Sequence, residues 1–155
     1  MKVLFSGSFD PPTLGHLDII KRASKLFDRV IVCIFTNPKK KGDYSVELRK
    51  KMIKELITDL DNVFVDCSGG SIDEYVKKNN IDAVLKGIRN CNDLEYENEL
   101  AEATFKISGV DTIYLPCNSS MRYVSSSIVR EMIKYNLSTE GYLDPSTKRI
   151  IDEKK

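Results

Sequence analysis

The sequence predicts a doubly wound α/β fold: a five-stranded parallel sheet with helices on both faces, in one domain spanning residues 1–155. Three observations carry this prediction. Short apolar runs and helical patterns alternate along the whole chain, the order expected of βα units with right-handed crossovers. Several of the apolar runs are continuous rather than alternating, as in strands buried on both faces. The first run also passes through a glycine-containing loop directly into a helical pattern, giving strand, loop and helix in close succession.

The elements follow in order. Val3-Leu4-Phe5 marks a first strand, Lys2–Phe5. The helix after it shows apolar residues at Leu17, Ile20, Ala23 and Phe27. A second strand is read at Val30–Phe35. Ser45 caps a helix through about Ile57, with Glu47 in its first turn. The third strand is Asn62–Asp66. Ser71-Ile72-Asp73-Glu74 is a capping-box pattern whose helix ends near Asn79-Asn80. A fourth strand is read at Ala83–Lys86. Asn92 to Glu95 looks like a helix start, running to about Ile107 before Gly109 ends it. The fifth strand is Thr112–Leu115. Helices at Ser125 to Tyr135 and Pro145 to Asp152 complete the chain, the latter with proline as its first residue. Two breaks interrupt the pattern, Asn37–Gly42 and Ser119–Val124.

Composition narrows the function classes. Hydrophobic residues make up 41% and charged residues 30% of the 155, as in an ordinary globular protein. A net charge of +1 argues against broad electrostatic binding of nucleic acid or an anionic membrane, while leaving room for a local basic pocket. The longest apolar run, Val30 to Phe35, is too short to span a bilayer. The chain enters its first strand at once, so no leader peptide is expected. Cysteines 33, 67, 91 and 117 form no CxxC pair, and with a single histidine they make no zinc set. Cys33, inside an apolar run, reads as a core residue. Reduced thiols in a cytoplasmic enzyme are the expectation.

The chemistry centres on Gly7-Ser8-Phe9-Asp10-Pro11-Pro12-Thr13-Leu14-Gly15-His16. Gly7 and Gly15 let the backbone approach a ligand, and the two prolines hold the loop extended. The following helix turns its free N–H groups and positive dipole end toward whatever the loop cradles, most often a phosphate. His16, the only histidine, stands at that entrance and can donate to a phosphate oxygen. Any one of these residues alone would read as a tight βα connection or a helix cap. The whole string, directly after an N-terminal strand, resembles the T/HxGH motif of the nucleotidyltransferase superfamily, and its form is most similar to that of the bacterial phosphopantetheine adenylyltransferases. The first motif position is Thr13, and Ser8 stands where threonine is more usual, keeping the hydroxyl.

Four further segments extend the resemblance to about Arg130, while the stretch from Leu137 to Lys155 matches only loosely. Asn37-Pro38-Lys39-Lys40-Lys41-Gly42 reads by itself as a solvated basic loop. In the family's pattern the lysine contacting phosphopantetheine falls on Lys40. Lys86-Gly87-Ile88-Arg89 resembles the family's RGxR segment, with two cations and a glycine suited to phosphate. Lys86 replaces the usual arginine, keeping the charge but losing bidentate geometry. In Asp93-Leu94-Glu95-Tyr96-Glu97, Glu95 reads as a first-turn acid, and the family's nucleotide-contacting glutamate falls on Glu97. Tyr123-Val124-Ser125-Ser126-Ser127-Ile128-Val129-Arg130 resembles the second motif, ISSSxxR, with Val124 for isoleucine.

The resemblance implies a Rossmann-like fold, a homohexamer, and transfer of AMP from ATP to 4′-phosphopantetheine with magnesium (Mg2+). It implies catalytic roles for His16, Lys40 and Arg89. ATP contacts fall on Ser8, Phe9, His16, Gly87, Ile88, Arg89 and Glu97, and on Met121, Arg122, Tyr123, Val124, Ser125, Ser126 and Ser127. Acceptor contacts fall on Ser8, Lys40, Ile72 and Lys86, although Ile72 by itself reads as core. No dedicated metal site is marked by a dense carboxylate cluster. The acceptor is a phosphate monoester with a second pKa of roughly 6, so it needs no general base. The motifs accordingly show no nucleophile–base pair. Rival readings are a nicotinate or nicotinamide mononucleotide adenylyltransferase, a cytidylyltransferase, which usually carries an RTEGISTT-type second motif, and a non-catalytic nucleotide-binding module.

Overall fold

Val3 and Leu4 are wholly buried and Phe5 nearly so, and the sheet forms around them. The computed structural model describes residues 1–36 and 42–154. In chain order the elements are β1 (Lys2–Gly7), α1 (Leu14–Leu26), β2 (Arg29–Phe35), α2 (Val46–Leu56), β3 (Val63–Ser68), α3 (Ile72–Lys78), β4 (Ala83–Ile88), α4 (Cys91–Ser108), β5 (Asp111–Pro116), α5 (Ser126–Lys134) and α6 (Pro145–Asp152), with a 3-10 turn at Ser119–Met121 before α5. The five strands pair in parallel in the order β3-β2-β1-β4-β5. This is the doubly wound, Rossmann-like sheet that the sequence predicts.

Side-chain alternation along the strands sends two apolar sets to opposite faces. Val3, Phe5, Val32 and Leu85 meet Leu17, Ile20 and Ala23 of α1 and Ile53 of α2 on one face. Leu4, Ile31, Cys33 and Val84 meet Tyr75 and Val76 of α3 on the other. Cys33 is a core residue, as expected, and burial pushes its thiol up to about 12. A third cluster, with Met52, Val129, Leu143 and Ile150, fastens α5 and α6 to the outside of α2. Each such fully buried aliphatic side chain contributes about 1.5–3 kcal/mol. No helix among the described residues is long and apolar enough to cross a membrane.

The helices match their sequence signals closely. Thr13, Ser45, Ser71, Asn90, Ser125 and Asp144 are the N-caps. The start of α4 is the one misreading. Asn90 rather than Asn92 caps it, its side chain accepting from the Asp93 amide at 2.9 Å. Gly109 ends that helix in the left-handed conformation, with φ of 74°. Four strands run past their predicted ends: β1 to Gly7, β3 to Ser68, β4 to Ile88 and β5 to Pro116. The apolar run stops where the strand leaves the core, but the ladder to one neighbouring strand continues.

That extension shapes the site. β1 and β4 pair only over Val3–Phe5 and Ala83–Leu85. Beyond this last rung β1 remains paired with β2 as far as Gly7, and β4 with β5 as far as Ile88. The two central strands therefore part at their carboxyl ends. The chain also reverses direction between them, going out to β2 and β3 and returning to β4 and β5. Such a switch point is where doubly wound sheets bind ligands.

Candidate active site

A cleft of about 340 Å³ lies over the parted ends of β1 and β4, lined by the β1–α1 loop, the first turn of α1, the end of β4 and the start of α5. Its size is within the range of small-molecule sites. Three lining residues, Lys86, Arg89 and Arg130, are cationic and one, Glu97, is anionic, so the cleft favours an anion.

The loop is held by its own side chains and by side chains of α2 and α5. Phe9 has a φ of 47°, a left-handed conformation rare for a large residue. Such strain is of order 1–3 kcal/mol and needs surrounding support. Phe9 is buried and packs edge-on against Phe5 at 5.4 Å and against His16 at 4.9 Å, which supplies it. The Asp10 carboxylate accepts from the amides of Asp43 at 2.9 Å and Tyr44 at 3.0 Å. Arg49, buried on α2, lies 3.9 Å from Asp10 and donates to the Ser8 carbonyl at 2.7 Å. On the other side Arg130 donates to the Asp10 carbonyl at 2.6 Å, and the Ser126 hydroxyl donates to the Pro11 carbonyl at 2.8 Å.

His16 is the third residue of α1, and with Thr13 it completes a capping box in which imidazole replaces the usual Glu or Gln. The Thr13 amide donates to Nδ1 at 3.0 Å, and the His16 amide donates to Thr13 Oγ1 at 3.4 Å. Because Nδ1 accepts, the neutral ring carries its proton on Nε2. Burial, with the charge of Arg89 second, pushes the imidazole down to about 4. At neutral pH His16 is thus an uncharged N–H donor on the wall of the cleft. The first turn of α1 has no acidic residue, so nothing neutralises its positive dipole end.

On β4, Gly87 lies against α1. A Cβ there would come within 2.9 Å of Ile19 Cγ1, so the glycine is required for helix–strand packing. Lys86 Nζ lies 3.1 Å from Glu97 Oε2, an ion pair without hydrogen-bond alignment. Arg89 places Nε and Nη2 on Asp93 at 2.9 and 3.3 Å. The serine hydroxyls of α5 are engaged as well. Ser125 caps the helix, Ser126 holds Pro11, and Ser127 accepts from Arg130 at 3.2 Å. The backbone N–H groups of Ser126 and Ser127, in the first turn, are left for a ligand.

Residues 4–132, most of the chain, match the sequence model of the cytidylyltransferase-like family. The chain belongs to that family. Solved structures share the fold. A candidate nicotinate-nucleotide adenylyltransferase from Vibrio parahaemolyticus superposes with a TM-score of 0.70 at 17% identity, covering 99% of this chain and 93% of that one. A bifunctional NMN adenylyltransferase/ADP ribose pyrophosphatase from Francisella tularensis, complexed with AMP and a manganese ion, gives 0.72 at 20% identity. It covers 97% of this chain, which spans about half of that longer protein (48%). The lipopolysaccharide core biosynthesis protein from Thermoplasma volcanium GSS1 gives 0.56 at 22% identity, over 76% of this chain and 96% of its own.

In this cytidylyltransferase-like chain the cleft gathers most of the residues singled out from sequence. Ser8, Phe9, His16, Lys86, Gly87, Arg89 and Glu97 line it, as do Met121, Val124, Ser125, Ser126 and Ser127. Ile88, Arg122 and Tyr123 do not; Tyr123 is 75% exposed, and Ile88 contributes its carbonyl to the Cys117 amide. Ile72 packs against the core beside Tyr75, away from the cleft. Lys40 lies outside the described residues. Sequence reasoning missed Ser6, Ile19 and Cys117 in the lining and Arg49 behind it. Arg49 had a signal: it shares the apolar stripe of α2 with Met52, Ile53 and Leu56, where a lone arginine needs a buried partner.

Proposed function

We propose that this chain transfers AMP from ATP to 4′-phosphopantetheine, forming dephospho-coenzyme A and pyrophosphate. The observation that carries the reading is the neutral His16, its Nδ1 engaged in the Thr13 capping box so that Nε2–H is left to donate, at a helix N-terminus with no acid in its first turn, lining a cleft with excess positive charge. This is an arrangement for stabilising phosphate charge rather than for making a nucleophile. The acceptor phosphate supplies its own nucleophilic oxygen. That oxygen forms a bond to the α-phosphorus of ATP as the bond to the pyrophosphate oxygen breaks, and the pair of electrons leaves with pyrophosphate. His16 Nε2–H and the first-turn amides of α1 and α5 donate to the phosphate oxygens. Lys86, and Lys40 by resemblance, draw the acceptor phosphate in.

Magnesium, in this reading, enters with the triphosphate. Among the described residues no three His, Cys, Asp or Glu side chains form a metal cage, and Glu97, the one acid in the cleft lining, is paired with Lys86. The homohexamer implied by resemblance has a surface available in α4, whose 18 residues include none that is buried. A cytoplasmic setting, as expected from sequence, goes with this reading.

A second reading has support in the solved neighbours: transfer to nicotinate or nicotinamide mononucleotide, which also present a phosphate monoester. Lys40, by resemblance, and the KGIR segment, Lys86 to Arg89, favour phosphopantetheine. A pyrophosphate-release assay with ATP, magnesium and each acceptor decides between them. Release is expected with 4′-phosphopantetheine, little with CTP in place of ATP, and none with unphosphorylated pantetheine. Faster turnover with nicotinate mononucleotide would transfer the assignment to the second reading.

A further inference from the structure

Ser6 is a buried hydroxyl with no partner. The residue is 7% exposed, its Oγ is shut off from solvent, and it makes no hydrogen bond. It also lines the cleft. An unpaired buried hydroxyl costs about 1–3 kcal/mol, so its retention needs a reason. Its position supplies one. Ser6 follows Phe5, the last residue of β1 paired with β4, and Lys86 follows Leu85, the last residue of β4 paired with β1. Strand alternation puts Ser6 on the face of Leu4, and Lys86 on the face of Val84, and these belong to the same apolar cluster. Lys86 reaches α4 from that face, onto Glu97. Register and alternation therefore put the unpartnered hydroxyl and the cation at matching positions on one face, each one residue past the last rung between the central strands.

We propose that Ser6 Oγ–H is a binding residue for the phosphate of the acceptor, acting together with Lys86. The inference rests on the proposed function, and it holds for either acceptor because both are phosphate monoesters. Lys86 supplies a point charge without direction, whereas an arginine would supply a planar fork. A hydroxyl beside it supplies the missing direction, donating to one phosphate oxygen while the ammonium neutralises another. On acceptor binding Lys86 exchanges Glu97 for the phosphate, and the phosphate oxygen takes its place against Ser6 Oγ. No covalent bond changes in this step.

Ser6→Ala tests it by titration calorimetry on the full chain, with 4′-phosphopantetheine, nicotinate mononucleotide and ATP as separate ligands. Acceptor affinity should fall about tenfold or more, the scale of a hydrogen bond to a charged group, with ATP affinity within twofold of the parent. Thermal stability should be equal or higher, because the substitution removes an unpaired polar group. Unchanged acceptor affinity overturns the inference. So does equal weakening of ATP, and so does a Ser6→Ala chain that fails to fold, since either would make the hydroxyl structural. If the parent binds nicotinate mononucleotide and not 4′-phosphopantetheine, the assigned acceptor is wrong, and Ser6 is judged on nicotinate mononucleotide. A parent that binds neither overturns both.

Discussion

His16 serves the helix with one ring nitrogen and the cleft with the other. Nδ1 closes the capping box with Thr13, and this contact fixes the proton on Nε2. Replacing it by alanine removes both functions. His16→Ala is expected to lower kcat by at least ~10²-fold, the scale of one charge-stabilising donor. It should also cost about 1 kcal/mol of stability, the scale of a lost cap. Steady-state kinetics and urea unfolding of the same preparation separate the two effects. The depressed imidazole makes a second expectation, in pH. The unfolded chain protonates this histidine near 6.5, whereas the folded chain does so only near 4. Between these values the unfolded state binds more protons, so the stabilising contribution is complete above 6.5 and is lost as pH falls toward 4. His16→Gln keeps a side chain suited to the capping box and removes the titration. Its melting temperature should therefore fall less steeply than the parent's from pH 6.5 to 4. Parallel slopes would show that His16 does not set this dependence.

α1 and β4 meet closely enough that one methyl group decides their spacing. Gly87→Ala would drive a Cβ to 2.9 Å from Ile19 Cγ1, inside a contact that neither partner can leave freely. Overpacking of this kind costs about 1–3 kcal/mol. Because Ile19 is on the helix that carries His16, the displacement also moves the donor relative to Lys86 and Arg89. Denaturant unfolding should show the loss of stability, and kcat should fall with it. Unchanged stability would mean that Ile19 repacks. The elements behind the site are fixed in another way, by charged side chains on backbone carbonyls. Arg49 of α2 holds Ser8 and Arg130 of α5 holds Asp10, so two separate elements fix the course of one loop.

At the scale of the molecule, the unusual element is α4. Leu94, Tyr96, Leu100, Phe105 and Ile107 are exposed along it, and it buries no residue in the monomer. Leu94 and Phe105 fall on one side of the helix and Tyr96, Leu100 and Ile107 on the other, and so many exposed apolar residues on one element mark an interaction surface. The proposed homohexamer would cover it. Multi-angle light scattering at micromolar concentration is expected to give six times the monomer mass of 17.6 kDa. Leu100→Glu with Phe105→Glu should shift that mass downward while the far-ultraviolet circular dichroism is unchanged. A parent that is monomeric would rule the assembly out.

By itself the sequence determined the order of elements, the parallel sheet and the segments that meet in the cleft. These depend on local properties: apolar runs long enough to make buried strands, hydroxyl and amide caps before each helix, and a glycine where a helix must stop. Pro145–Asp152 was legible to the residue because proline marks its start. Only the tertiary structure decided what each polar group does. Ser125, Ser126 and Ser127 fall among the ATP contacts that the resemblance implies, yet the fold engages their hydroxyls with Ile128, Pro11 and Arg130. Lys86 and Glu97, assigned to different ligands from sequence, form one ion pair, and the fork of Arg89 rests on Asp93. Partners distant along the chain, such as Arg49 and Asp10, leave no periodic trace in a single sequence. Ser6 is the clearest case. Its lack of a partner is a property of everything packed around it, and it becomes visible only where β1 and β4 part.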